Sequence, residues 1–352
     1  MRKYYLVVIL SVLAMLLLAA CTKKGNAENT SEASGKVEGT KEGTKELTEI
    51  VIGYPSTGAN WAGGVVAMAD YEGYFNEYLN PLGYKITLTG FTGAGPAIND
   101  ALASKDIDLA AYAEIPGIVS KSNGVDTSLL LVTQRHLSSA VVVTEESEIK
   151  SIEDLRGKKI GYSRGTTIQE YLLKVLKSAG LTEKDVELVN LTAAESSSAL
   201  LTGAIDANAS VLAVTQALVE KNSARVIAPA SEDGEYDASM ILIGRTAFVQ
   251  DNEAAVVGMI KALIKAKEKI VADPDAFYQI SADKSGANIS TIKVTSGDED
   301  LSFPSIPNSL DQDYLDYLSA SKQFLLENKL ITKDFSIEDW ADSTYLEKAL
   351  AK

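Results

Sequence analysis

The chain of 352 residues has one cysteine, Cys21, and one histidine, His136. A lone cysteine cannot close an intramolecular disulfide, which leaves a free thiol, an intermolecular link or a modification. A lone histidine excludes any metal site built from several imidazoles, and no metal or other cofactor is expected. Positive charge is also in deficit, with 33 Lys and Arg against 48 Asp and Glu and a net charge of −15. Polyanion binding depends on basic patches that release counterions, so nucleic acid is not an expected partner. Beyond the N-terminus no segment is apolar enough for a bilayer span, which takes about 20 residues.

What is present begins with an address. Arg2 and Lys3 give a positive start, Tyr4 to Leu18 an apolar segment, and Ala19-Ala20 a pair of small residues. This is the three-part layout of a secretory signal over residues 1–20. A transmembrane anchor is the competing reading, but the run is short and stops at small residues instead of a basic stop-transfer cluster. The tetrad Leu18-Ala19-Ala20-Cys21 resembles the lipobox of bacterial lipoproteins, and this resemblance implies that Cys21 is lipidated and anchors the chain outside the cytoplasm. Loss of Arg2 and Lys3 with the signal takes the net charge from −15 to −17. Residues 21–48 are rich in Gly, Ser, Thr, Glu and Lys, with Val37 and Leu47 nearly their only large apolar members. Such a stretch cannot bury enough surface to fold and reads as a flexible tether. The tandem Gly39-Thr40-Lys41-Glu42 and Gly43-Thr44-Lys45-Glu46 is low-complexity wording with too short a period for a solenoid.

The remaining body is too long for one small core and suggests two lobes. Glu49 to Tyr54 reads as a strand, Trp61 to Tyr78 as a helix, and Lys85 to Phe91 as a second strand. The alternation repeats through a helix at Pro96 to Ser104, a strand at Ile107 to Ala111, and a helix at Ile115 to Asn123. Leu129 to Thr133 and Ala140 to Val143 are apolar on both faces, as in a sheet covered by helices. A second series follows: a strand near Ile160, a helix from Ile168 to Ala179, a strand from Val186 to Leu191, a helix from Ala194 to Thr202, and a strand from Ala207 to Val211. Met240 to Gly244 is one more apolar strand, and from Val256 the chain is mainly helical. Strands alternating with helices indicate an α/β class.

Three stretches carry a family resemblance. They are Ala101 to Leu109 with Tyr112-Ala113-Glu114-Ile115-Pro116-Gly117-Ile118, Ile149 to Gly161 with Gly165-Thr166-Thr167 after it, and Leu201-Thr202-Gly203-Ala204-Ile205-Asp206-Ala207. Their order resembles that in the periplasmic nitrate, taurine and aliphatic-sulfonate binding proteins, over about Ile50 to Pro274. The resemblance implies a two-lobed periplasmic-binding-protein fold of type II, a monomer that delivers a small-molecule solute to an ABC permease and its ATPase. Residues 49–143 would begin lobe I, 144–240 would form lobe II, and 241–352 would return to lobe I. Crossings are expected near Val141 to Glu145 and near Ser239 to Gly244. One departure stands out: an aromatic stretch of the family is replaced by Ser210-Val211-Leu212-Ala213-Val214.

In open α/β sheets, ligands collect beyond the carboxyl ends of the strands. This rule selects Ser163, Arg164, Gly165, Thr166 and Thr167, where a helix start offers N–H groups and small hydroxyls to an anion. Helix capping alone by Thr166 or Thr167 is the plainer alternative. Ser56, Thr57, Asn60 and Trp61 are candidates after the first strand, although Asn60 equally suits a cap and Trp61 a core. Thr92, Gly93 and Gly95 permit close backbone approach, or only a turn. Glu114 at a strand end would favour an amine or hydroxyl over a bare anion, unless it is simply solvated. Arg135 and Arg164 would fork onto an anion or sit in surface ion pairs, and His136 reads as structural. No nucleophile and base can be paired from the sequence, and Glu114 and Glu195 cannot be placed together in space. The leading function is therefore a lipid-anchored receptor for a polar or anionic solute, either sulfonate-, taurine- or nitrate-like or a pyrimidine-type nutrient. An enzyme on the same fold and a surface sensor or adhesion module are the alternatives.

Overall fold

Ten strands pair into two five-stranded sheets in the computed structural model, which describes residues 46–228, 237–296 and 310–351. The expected signal segment, Cys21 and nearly all of the expected tether lie outside the described residues. The strands are β1 (Thr48–Pro55), β2 (Tyr84–Phe91), β3 (Leu109–Ala113), β4 (Thr127–Leu137), β5 (Ser139–Thr144), β6 (Lys159–Tyr162), β7 (Glu187–Asn190), β8 (Ala207–Val211), β9 (Ala224–Ala228) and β10 (Ala238–Arg245). The first sheet runs β2-β1-β3-β10-β4 and the second β7-β6-β8-β5-β9. Each has three parallel strands followed by one antiparallel strand supplied by a crossing of the chain: β10 in the first, β5 in the second.

The crossings come earlier in the chain than the sequence suggests. The first is the single residue Ser138 between β4 and β5, and the second lies between Ala228 and Ala238. Val141 and Val142 already pair with Ala209 and Asn208 of the second sheet, whereas Met240 to Gly244 pair with β3 and β4 of the first. The expected lobe II boundaries of 144 and 240 are thereby corrected to 139 and 228. Both runs are apolar on both faces, a pattern that marks a covered strand but not which sheet covers it.

Helices cover both faces of each sheet. In the first lobe the expected helix from Trp61 to Tyr78 is two helices, α1 (Gly64–Tyr71) and α2 (Tyr74–Leu79), because Gly73 turns the chain at φ 75°. They are followed by α3 (Ala94–Ser104) and α4 (Glu114–Ser122); the second lobe has α5 (Thr167–Ser178), α6 (Ala193–Leu201) and α7 (Leu212–Glu220). The C-terminal part adds α8 (Thr246–Asp251), α9 (Glu253–Ala272), α10 (Pro274–Ser285), α11 (Ile289–Thr295), α12 (Gln312–Glu327), α13 (Ile337–Trp340) and α14 (Thr344–Leu350). On one face of the first sheet, Ile50, Ile52, Phe75 and Leu79 pack with Met259, Ile260 and Leu263 of α9. On the other, Ile98, Leu102 and Ile118 pack with Leu318, Leu325 and Trp340. The C-terminal helices thus pack on the first sheet, and α11 also packs on α7 of the second lobe. Among the described residues, no helix is long and apolar enough to cross a membrane.

Candidate ligand-binding cleft

Three parallel strands in each sheet lead into a helix, so the helix starts gather on one side of each lobe. A cleft of about 590 Å³ lies where they meet, lined from the first lobe by the starts of α1 and α3 and from the second by those of α5, α6 and α7. Three of these starts have no side-chain cap: those at Gly63, Gly93 and Val211. Gly63 and Gly64 take φ of 76° and 51°, which brings bare backbone to the cleft surface. N–H groups at a helix start carry partial positive charge, and several of them on one cavity favour an anion.

The α5 start shows how this loop is held. Thr166 caps the helix, its Oγ1 accepting from Ile168 N at 3.3 Å and donating to Ser163 O at 2.8 Å. Gly165 N donates to Gln169 Oε1 at 2.9 Å, and Arg164 N to Asn190 Oδ1 at 2.9 Å. At the α6 start, Thr192 and Glu195 form a capping box, and the donors on Thr192 hold the Glu195 carboxyl below its ordinary range. Among the described residues, Arg164 and Glu195 are the only charged side chains in the lining. Much of the rest is apolar: Trp61, Val66, Leu137, Met240, Phe277 and Ile292, together with Val211, Leu212 and Val214.

The structure brings ten of the expected residues to this lining: Ser56, Thr57, Trp61, Thr92, Gly93, Gly95, Ser163, Arg164, Thr166 and Thr167. Four others lie elsewhere. Glu114 is fully buried as the first residue of α4, with Oε2 accepting from Ser239 N at 2.7 Å and from Ser239 Oγ at 3.1 Å, and Oε1 accepting from Tyr317 Oη at 2.9 Å. Its carboxyl faces the returning strand β10, which the sequence could not place. Burial, followed by the nearby Glu170, pushes the Glu114 pKa up to about 7 against the pull of Ser239 N–H. Arg135 pairs with Asp311 at 3.0 Å and lies over the Tyr314 ring at 4.9 Å. Asn60 accepts from Tyr54 Oη at 3.0 Å and faces a smaller recess beside Asp70 and Leu88. Gly165 makes the turn into α5 at φ 73° without lining the cleft. His136 lies 3.2 Å from Asp237 through Nδ1, next to the first crossing.

Other lining residues escaped the sequence reading. Asn190 to Ala193 lie at and just beyond the end of β7, and Ser210 to Val214 at and just beyond the end of β8, so the strand-end rule contained both. The stretch that departs from the aromatic pattern is thus part of the cleft wall. Phe277, Ser281, Ile292, Thr295 and Ser296 come from α10, α11 and the residue after it, where no local signal points to a cleft. The buried Ser281 hydroxyl has no hydrogen-bond partner among the described residues.

Two α/β lobes, joined by two crossings of a hinge and facing each other across helix starts, define the two-lobed periplasmic-binding-protein fold. Residues 64–277 match the family described as NMT1/THI5 like, and the chain belongs to that family. A protein of Bacillus subtilis (strain 168) named for binding aliphatic sulfonates is 25% identical over 288 residues, covering 80% of this chain and 84% of its own. The alkanesulfonate-binding protein SsuA of Xanthomonas axonopodis pv. citri, solved bound to MOPS, superposes with a TM-score of 0.72 at 21% identity, over 85% of this chain and 99% of its own. The desulfurization enzyme DSZB has the same fold, with a TM-score of 0.67 at 19% identity over 86% of this chain and 99% of its own.

Proposed function

We propose that this chain is the solute-binding component of an ABC importer, tethered outside the cytoplasm through a lipidated Cys21, and that its cleft holds a sulfonate with an apolar body. The observation that carries the reading is the set of uncapped helix starts from both lobes around a cleft whose charged side chains, among the described residues, are Arg164 and Glu195. An anionic head suits the helix starts and Arg164, while Trp61, Phe277, Ile292 and Met240 offer area to a hydrophobic body. The sulfonate-binding names of relatives point the same way. A permease and its ATPase would be the partners, with the receptor acting as a monomer.

A thermal-shift screen of the body from Glu46, using MOPS, hexanesulfonate, taurine, nitrate, a pyrimidine and amino acids, tests the solute. A ligand that binds only the folded state at 100 times its dissociation constant stabilises by about 2.7 kcal/mol, a rise of several degrees. Hexanesulfonate and MOPS are expected to give the larger shifts; no shift with any sulfonate would remove the reading. DSZB favours examining an enzymatic alternative, and loss of the stabilising sulfonate with release of sulfite or sulfate would establish it. Among the described residues the cleft wall presents hydroxyls without histidine or cysteine, and Glu195 is committed to its cap, which supports binding over turnover. For the anchor, Cys21→Ser is expected to move the protein from the membrane fraction to the soluble one. Unchanged fractionation would argue against lipidation.

A further inference from the structure

The lobes meet at a place that neither covalent crossing accounts for. Helix α7 of the second lobe ends in Glu220, and both oxygens of its carboxylate accept hydrogen bonds from the start of α11. Asn288 Nδ2 donates to Oε2 at 2.6 Å, Ser290 Oγ to Oε1 at 2.7 Å, and Thr291 Oγ1 to Oε1 at 3.1 Å. These donors hold the Glu220 carboxyl below its ordinary range, so it stays ionised at neutral pH. The other end of α11 belongs to the hinge and the first lobe: Gln134 Nε2 on β4 donates to Thr295 O at 3.0 Å, and Ile292 packs against the first-lobe core. A single short helix therefore spans the two lobes, and its Ile292 and Thr295, with Ser296 just beyond, line the cleft.

We propose that Glu220 is a positioning residue for solute capture, clasping α11 across the lobes so that Ile292, Thr295 and Ser296 close one wall of the cleft. Separation of the lobes then requires either release of the three hydrogen bonds or departure of α11 from the first lobe. Hydrogen bonds to an ionised acceptor are about twice as strong as neutral ones, so the first route is an energetic step of its own. Arg164, Trp61, Met240 and Phe277 lie outside α11 and remain in place when the clasp is absent, so the principal effect falls on how long a solute stays. This rests on the reading of the cleft as a sulfonate site.

The test uses the full chain and hexanesulfonate as the probe. Glu220→Ala is expected to speed hexanesulfonate dissociation in stopped flow by about tenfold or more, with a smaller change in the association rate. Glu220→Gln retains an acceptor oxygen for Ser290 and Thr291 and is expected to fall between the two. The exposed pair Asn288→Ala with Ser290→Ala removes donors from the opposite side and should reproduce the fast dissociation without touching the core. Amide hydrogen exchange without solute gives a separate reading: residues 289–295 should exchange faster in Glu220→Ala, whereas 312–327 should be unaffected. Wild-type dissociation rates in both Glu220→Ala and the Asn288/Ser290 double variant would overturn the clasp. A wild type that binds no sulfonate would overturn the solute assignment instead, and unchanged exchange at 289–295 would then overturn the clasp independently.

Discussion

A Thr166→Asp variant is expected to fold as the wild type does and to bind hexanesulfonate about a hundredfold more weakly. Thr166 is the N-cap of α5, is nearly fully buried, and lines the cleft. Aspartate is at least as good an N-cap as threonine and accepts the bond from Ile168 N in the same way. A carboxylate at this end of α5 also suits the helix dipole, by about 0.3–1 kcal/mol, which offsets loss of the Oγ1 donation to Ser163 O. The same negative charge occupies the potential that an anionic solute would use. Like charges brought together at a binding surface cost several kcal/mol, and a hundredfold loss corresponds to about 2.7 kcal/mol. Thr166→Asn isolates the charge, since it caps equally well without ionising; its affinity should stay within a few fold of wild type. Isothermal titration of both variants, beside their melting temperatures, decides the matter. Equal affinity in Asp and Asn variants would mean that no anionic group reaches α5.

The contrast between Thr166 and Glu114 shows how far the residues alone can be read. Both follow predicted strands, and the strand-end rule treats them alike. Thr166 does line the cleft, because the neighbouring β7 and β8 of its own lobe set the surroundings within one continuous stretch of chain. Glu114 does not, because the group that covers it, Ser239, arrives on β10 after the chain has built the whole second lobe. The same long-range return misled the assignment of the crossings. β5 and β10 carry unmistakable strand patterns, but membership in a sheet is decided by partners far away in sequence. The parallel strands and their helices were legible because each βαβ unit is local. The wall formed by Phe277 and Ile292 was not, since a C-terminal helix that packs on a core looks the same in sequence whether or not its edge meets a cleft. Trp61 illustrates the limit from the other side: core and cleft were both open for it, and it both packs on the first-lobe cluster and lines the cavity.

The wild type is expected to lose about 3 kcal/mol of folding stability as the pH rises from about 4.5 to about 7, and Glu114→Gln is expected to abolish most of that loss. Glu114 is fully buried, and its pKa stands at about 7 in the fold against the ordinary 4.5. The unfolded chain therefore releases this proton at lower pH than the folded one. Its contribution is fully present below the unfolded value and disappears as pH climbs through the folded one. Burial is the largest cause, and Glu170 on α5 adds repulsion across the lobes. Burial raises Glu170 as well, against the pull of Lys174 at 2.9 Å, so Glu170 acts in the same sense and accounts for the part of the pH dependence that Glu114→Gln leaves. Burial likewise raises Tyr314 and Tyr317, so neither hydroxyl ionises within this window and both remain donors to the cluster. Arg135 lies over Tyr314 but is paired with Asp311 and does not neutralise Glu114. Asp154, Asp185 and Glu195 are held below their ordinary range by hydrogen bonds and act in the opposite sense, losing their contribution below about pH 4. The two windows are therefore separable. Glutamine keeps an oxygen for Ser239 N–H and presents an amide N–H to Tyr317, whose hydroxyl can then accept. Urea unfolding of both proteins at pH 5 and pH 8 gives the comparison, and an identical pH slope would show that Glu114 is ionised in the fold throughout. Because Glu170 belongs to the second lobe and Glu114 to the first, ionisation of Glu114 also raises the repulsion across the seam behind the cleft. Solute affinity should accordingly weaken over the same rise in pH, and Glu114→Gln should remove that dependence while leaving Thr166→Asp as damaging as before.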